Sequence, residues 1–226
     1  SSSDLAILSV VLALGVQRMA RERAIVKKLS SVETLGSASV ICTDKTGTLT
    51  RNEMTVTRVV TGSGEVELTG SGYRPEGEVR VDGRLADAAG ADAAHLDEVR
   101  FVLGGGSLAN DAVLVGDAGE WTVQGDPTEG AFLVAEAKLG MADARSARFR
   151  RVGELPFTSE RRLMTTLEAD VEREGRIHVV TKGAPDALLA RCTHVRVAGE
   201  VRRLDDARRA EIDAEVDRLA DLALRT

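Results

Sequence analysis

The chain has 226 residues, 43% hydrophobic and 29% charged, a balance that suits one or two packed domains and excludes a disordered chain. A net charge of −6, with no stretch interleaving basic and aromatic residues, excludes a general nucleic-acid binder, which needs clustered cations to displace phosphate counterions. Two cysteines, Cys42 and Cys192, without Cys-x-x-Cys spacing, and three scattered histidines suggest neither a disulfide framework nor a zinc site; the expected setting is reducing.

The first element is Leu5–Val16 (LAILSVVLALGV), 12 nearly all-apolar residues. A bilayer needs about 20 helical residues, so this run does not cross a membrane alone. No basic region precedes it and no cleavage pattern follows, which argues against a signal peptide. The basic stretch behind it (Arg18, Arg21, Arg23, Lys27, Lys28) fits either the cytoplasmic end of a membrane helix or a buried helix of a soluble domain. Ser39–Thr43 reads as a short buried strand ending at Asp44. Met54–Val60 is β-prone, and the glycines and proline from Gly62 to Gly77 punctuate short strands and turns. Ala86–Asn110 is helical in pattern, with a break expected at Gly104-Gly105-Gly106, since each helical glycine costs roughly 1 kcal/mol relative to alanine.

Trp121–Val123 is a strand candidate. Asp126 then caps a helix that has Pro127 at its first position, runs to about Lys138 and stops at Gly140. Glu154–Phe157, Leu163–Leu167 and Ile177–Thr181 read as strands. A turn at Gly183-Ala184-Pro185 opens a helix over Asp186–Arg191, and Asp205–Leu224 is a charged amphipathic helix with a solvated face.

The chemistry concentrates in Asp44-Lys-Thr-Gly-Thr-Leu-Thr50. A carboxylate followed by a tight glycine-containing loop can attack a terminal phosphate and hold it as an acyl phosphate, splitting one hard displacement into two. Lys45 supplies a cation, Thr46 and Thr48 supply hydroxyls, and Gly47 lets loop amides approach the phosphate. The bland alternative is a cap and turn made by Asp and Thr. Lysine is scarce, five residues against 25 arginines, and two of the five, Lys45 and Lys182, fall in motifs. Only six residues are aromatic, and one, Phe157, precedes the polar turn Thr158–Arg162, where an aromatic can stack on a base while arginines approach phosphates. Glu129 lies three residues after Asp126, so a capping box accounts for it without a ligand.

These segments resemble the P-type ATPases, whose phosphorylation signature DKTGT stands intact at Asp44–Thr48. The likeness covers nearly the whole chain: SVETLGSASVICTDKTGTLTRNEMTV (Ser31–Val56), GDPTEGAF (Gly125–Phe132), LPFTSERRLM (Leu155–Met164) and KGAPDALLARCTHVRV (Lys182–Val197) are similar to type II, calcium-pump-like members. The resemblance implies an α/β (α+β) chain. Residues 1–29 would be the inner end of a membrane helix and its stalk. Residues 30–60 would start a haloacid-dehalogenase-like phosphorylation domain, and 61–226 would form an inserted nucleotide-binding domain, an antiparallel sheet flanked by helices.

By the same resemblance, Asp44, Lys45 and Thr46 are catalytic. Asp44 and Thr46 would serve Mg²⁺. Thr46, Glu129, Phe157, Arg162, Lys182, Gly183 and Arg225 would bind ATP, with Phe157 stacking on adenine, Glu129 at its amino group and Lys182 lining its pocket. Ser159 departs from relatives that carry a phosphate-binding arginine there, so Arg161 or Arg162 would substitute.

The implied partners are ATP, a transported cation, Ca²⁺ by subfamily, and a membrane in the parent protein, with this segment facing the cytoplasm of a bacterium. The family's Gly-Asp-Gly-x-x-Asn-Asp element does not occur here, so the segment is expected to bind ATP weakly without turnover. Haloacid-dehalogenase-type phosphatases also use a strand-end Asp nucleophile, but place a second Asp two residues on as general acid and base. Thr46 stands there, and losing that base slows hydrolysis by roughly 10² to 10⁴, which suits a lasting phosphoenzyme. A stand-alone ATP-binding or regulatory module is the other alternative.

Overall fold

In the computed structural model, residues 2–28, 30–45 and 47–226 are described, and the side chains of 2–6, 30 and 33 are left aside. The chain falls into two units, residues 1–51 and residues 52–226.

In the first unit, helix α1 (Ser2–Arg21) takes up the apolar run, and α2 (Ser30–Gly36) follows. Arg18 and Arg21 sit in the last turn of α1, where cations complement the helix dipole. The chain leaves α1 through Arg23 at φ 61°, with the Ala24 amide donating to the Met19 carbonyl at 2.9 Å, a left-handed C-terminal cap. Ile7, Val10, Val11 and Leu14 are exposed. Among the described residues, no helix is long and apolar enough to cross a membrane.

The strand expected at Ser39–Thr43 is not formed. Val40 and Ile41 are 75% and 87% exposed, and no described strand pairs with this segment. β-Branched residues favour extended backbone only when a neighbouring strand accepts their hydrogen bonds and a core covers one face.

The second unit begins with an antiparallel meander in the order β1 (Arg58–Thr61), β2 (Gly64–Leu68), β3 (Val79–Val81) and β4 (Arg84–Leu85). Val59 faces Val66 across the first pair. Asp82 and Gly83, at φ 50° and 76°, turn β3 into β4 as a two-residue hairpin loop requires. Helix α3 (Ala93–Leu108) lies on the meander, with Val99 and Leu103 one turn apart. Both join Val59, Val66, Leu68, Val81 and Ala135 in one core cluster. Each of these valines and leucines, fully buried, contributes roughly 1.5–3 kcal/mol.

A hairpin, β5 (Val113–Asp117) and β6 (Glu120–Gln124), leads into α4 (Pro127–Lys138), which packs on α3 as well as on the hairpin. The expected break in α3 at Gly104–Gly106 is absent. A Cβ at Gly106 would lie 2.2 Å from the Phe132 ring, so the glycine is what allows α3 and α4 to approach. Packing outweighs the propensity cost.

The short α5 (Ala142–Arg148) precedes β7 (Phe149–Leu155), β8 (Leu163–Asp170) and β9 (Ile177–Gly183), an antiparallel sheet with β8 in the middle. α3 touches β9 as well as β1, so the α3–α4 pair links the meander to this sheet. The chain closes with α6 (Pro185–Leu189), a hairpin of β10 (His194–Val197) and β11 (Glu200–Arg203), and α7 (Asp206–Asp221), which Asp205 caps at the Arg208 amide.

Candidate functional site

One large groove of the second unit collects side chains from segments far apart in sequence: Asp126 and Glu129 from α4 and its cap, Phe157 and Arg162 from the β7–β8 turn, Lys182 and Gly183 from the end of β9, and Arg225. Five of them (Glu129, Phe157, Arg162, Lys182 and Arg225) are among the side chains nominated for ATP, and Gly183 joins them through its backbone; Thr46, the remaining nominee, lies outside the described residues.

Asp126 caps α4, its Oδ1 accepting from the Thr128 and Glu129 amides at 2.7 and 3.3 Å. Burial works to raise the Asp126 carboxyl, but hydrogen bonds from Thr128 and Glu129 and the nearby Arg225 charge bring it below the usual range. The second half of the expected capping box is replaced. Glu129 Oε1 accepts from Lys182 Nζ at 2.8 Å and Oε2 from the Asp111 amide at 3.0 Å, so its carboxylate joins α4 to the end of β9. Lys182 is half-buried and lies 5.6 Å above the Phe132 ring centre. Phe132 is the site residue that sequence reading missed. It ends the GDPTEGAF motif, yet nothing local distinguishes a core phenylalanine from one that also supports a cation.

The turn between β7 and β8 is tied by Arg161. Its guanidinium donates to the Leu155 and Pro156 carbonyls, both at 3.3 Å, and to Thr165 Oγ1 at 3.0 Å. Phe157, 59% exposed, is thereby presented as an open aromatic face on a braced turn. Of the two arginines considered in place of Ser159, Arg161 is committed to this turn, whereas Arg162 lines the groove. Arg162 holds φ 56°, and Gly183 crosses beside it at φ 155°. A Cβ at Gly183 would lie 2.2 Å from the Arg162 carbonyl oxygen, so no other residue fits there without displacing the turn.

The Asp44 loop belongs to the first unit. It closes on itself, with the Leu49 and Thr50 amides donating to the Lys45 carbonyl at 3.0 and 3.2 Å. Gly47 takes φ 74° and its amide donates to Thr50 Oγ1 at 3.4 Å. Asp44 and Lys45 are exposed, and Thr46 lies outside the described residues. Among the described residues, no three His, Cys, Asp or Glu side chains gather as a metal site. A Mg²⁺ ion held mainly by substrate phosphates and water asks the protein for only one or two carboxylates, and an exposed Asp44 fits that share.

Residues 98–226 match the family described as P-type ATPase, cytoplasmic domain N. The chain is 39% identical to the "Calcium-transporting ATPase" of Bacillus subtilis (strain 168) over 98% of its own length and 24% of that relative. It is 44% identical to the "Probable cation-transporting ATPase F" of Mycobacterium tuberculosis H37Rv over 88% of its length and 22% of that protein. With the human "Calcium-transporting ATPase type 2C member 1" it shares 39% identity over 97% of its length and 23% of the relative. It thus spans about a quarter of the length of the relatives it matches. The mixed α/β architecture with several antiparallel sheets agrees with an N domain. From the groove, the motifs and this match together, the chain belongs to the P-type ATPase family.

Proposed function

We propose that residues 52–226 bind ATP in the groove and that Asp44 accepts its γ-phosphate in an ATP-driven cation pump. The observation that carries this is the convergence of Glu129, Phe157, Arg162, Lys182 and Arg225 on one groove from four separate segments. An open aromatic face beside cations suits a purine with a polyphosphate tail. In this reading Phe157 stacks on adenine. Glu129 and Lys182 meet its polar edge, and Arg162 and Arg225 approach the phosphates.

For the chemical step, an Asp44 carboxylate oxygen forms a bond to the γ-phosphorus. The bond to the β,γ-bridging oxygen breaks, and ADP leaves with the electron pair. Lys45 and the Gly47 loop amides stabilise the charge on the transferred group. Asp44 and Thr46 would hold a Mg²⁺ ion arriving with ATP, which would neutralise phosphate charge. The first unit is read as the start of a haloacid-dehalogenase-like phosphorylation domain, preceded by the cytoplasmic end of a membrane helix in α1. Ca²⁺ is the proposed cargo, because two of the relatives above are named calcium-transporting.

The test uses the full-length parent protein in membranes with γ-labelled ATP. An acid-stable, hydroxylamine-labile phosphoenzyme that needs Ca²⁺ and vanishes in Asp44→Asn is expected. A phosphoenzyme persisting in Asp44→Asn would refute the assignment of the nucleophile, and dependence on another ion would refute only the cargo.

A further inference from the structure

We propose that Asp186 sets how tightly this groove holds a nucleotide's phosphates, by competing with them for the Arg162 guanidinium. The inference rests on the ATP reading above and adds to it Asp186, a residue of the Lys182–Val197 run to which the sequence assigned no role.

Arg162 projects from a backbone fixed on both sides. Its amide donates to the Thr158 carbonyl at 2.7 Å, and its own carbonyl accepts from the Ala184 amide at 3.0 Å. From that anchor the guanidinium meets Asp186 in a two-point pair, Nη1 to Oδ1 at 3.1 Å and Nη2 to Oδ2 at 2.7 Å. Asp186 is the second residue of α6, directly after the Gly183-Ala184-Pro185 segment that borders the groove. The carboxylate therefore engages the same planar fork of donors that recognises a phosphate.

The neighbouring cations differ. Arg161 is spent on carbonyls and Thr165 inside its own turn, and Lys182 is matched by Glu129. Asp186 thus offsets a groove-lining arginine from an exposed position, 64% accessible, where its charge can be removed without opening the core. For a site that must give its γ-phosphate to an aspartate elsewhere, a weakened grip on the phosphates favours transfer over storage.

Equilibrium titrations of the whole chain with ATP and with adenosine test this at low ionic strength. Removing the carboxylate in Asp186→Asn, and independently in Asp186→Ser, is expected to tighten ATP about two- to fivefold, the reach of one exposed ion pair. Adenosine, which has no phosphate, should bind as in the wild type. Asp186→Glu should restore wild-type ATP affinity, and the gain should collapse in about 1 M salt, where charges are screened beyond roughly 3 Å. Unchanged or weaker ATP binding in both uncharged variants would overturn the proposal, as would an equal gain for adenosine. If the wild-type chain bound neither ligand, the ATP reading itself would fall, an outcome distinct from ATP binding that ignores residue 186.

Discussion

Asp92, at the start of α3, faces Arg84 in a two-point pair at 2.6 and 2.9 Å and accepts from the Asp87 amide at 2.7 Å. The Arg84 side chain first, and the Asp87 amide second, hold its carboxyl at about 2 instead of 3.8. A carboxyl depressed in the folded state adds stability that is complete above the unfolded value and is lost as pH falls through the folded one. Thermal melts of the wild type should therefore drop between about pH 4 and pH 2. Asp92→Asn should lower the midpoint at pH 7 and flatten that drop; an equally steep acid decline in the variant would contradict the assignment. At this scale much of the candidate groove was readable, because Phe157 and Lys182, which line it, belong to scarce residue classes placed beside turns. Phe132 and Asp186 were not readable, because their roles come from partners across the fold: Lys182 for one and Arg162 for the other.

Among the elements, the packing of α3 on α4 yields a paired prediction. Gly106→Ala would place a Cβ 2.2 Å from the Phe132 ring, whereas at Gly104 the new atom meets Met141 at 3.6 Å, an ordinary contact. Gly106→Ala should cost about 1–2 kcal/mol, overpacking outweighing the propensity gain, and Gly104→Ala should be neutral or stabilising by up to about 1 kcal/mol. Denaturant unfolding measures both; equal effects would show that packing does not decide this helix.

The same contest explains which elements sequence exposed. α4 announced itself through Asp126 and Pro127, and β8 and β9 through their β-branched runs. β10 and β11 were missed because exposed His194, Arg196, Glu200, Arg202 and Arg203 hide the alternation, while two-residue turns with positive φ, such as Ala198-Gly199, carry the hairpins. Ser39–Thr43 erred the other way: its composition favours a strand, but no partner among the described residues pairs with it.

At the scale of the molecule, the groove proposed to hold ATP is lined wholly by residues of 52–226, while the Asp44 loop belongs to residues 1–51. Binding can therefore be tested apart from phosphoryl transfer. The most direct measurement is an NMR titration of the chain with ATP, comparing wild type with Phe157→Ala. Shifts clustered at Asp126, Glu129, Phe157, Arg162, Lys182 and Gly183, with affinity falling about five- to 150-fold in the variant as a stacking contact of roughly 1–3 kcal/mol is lost, are the predicted result. Unchanged affinity in Phe157→Ala, or shifts confined to residues outside the groove, would contradict it.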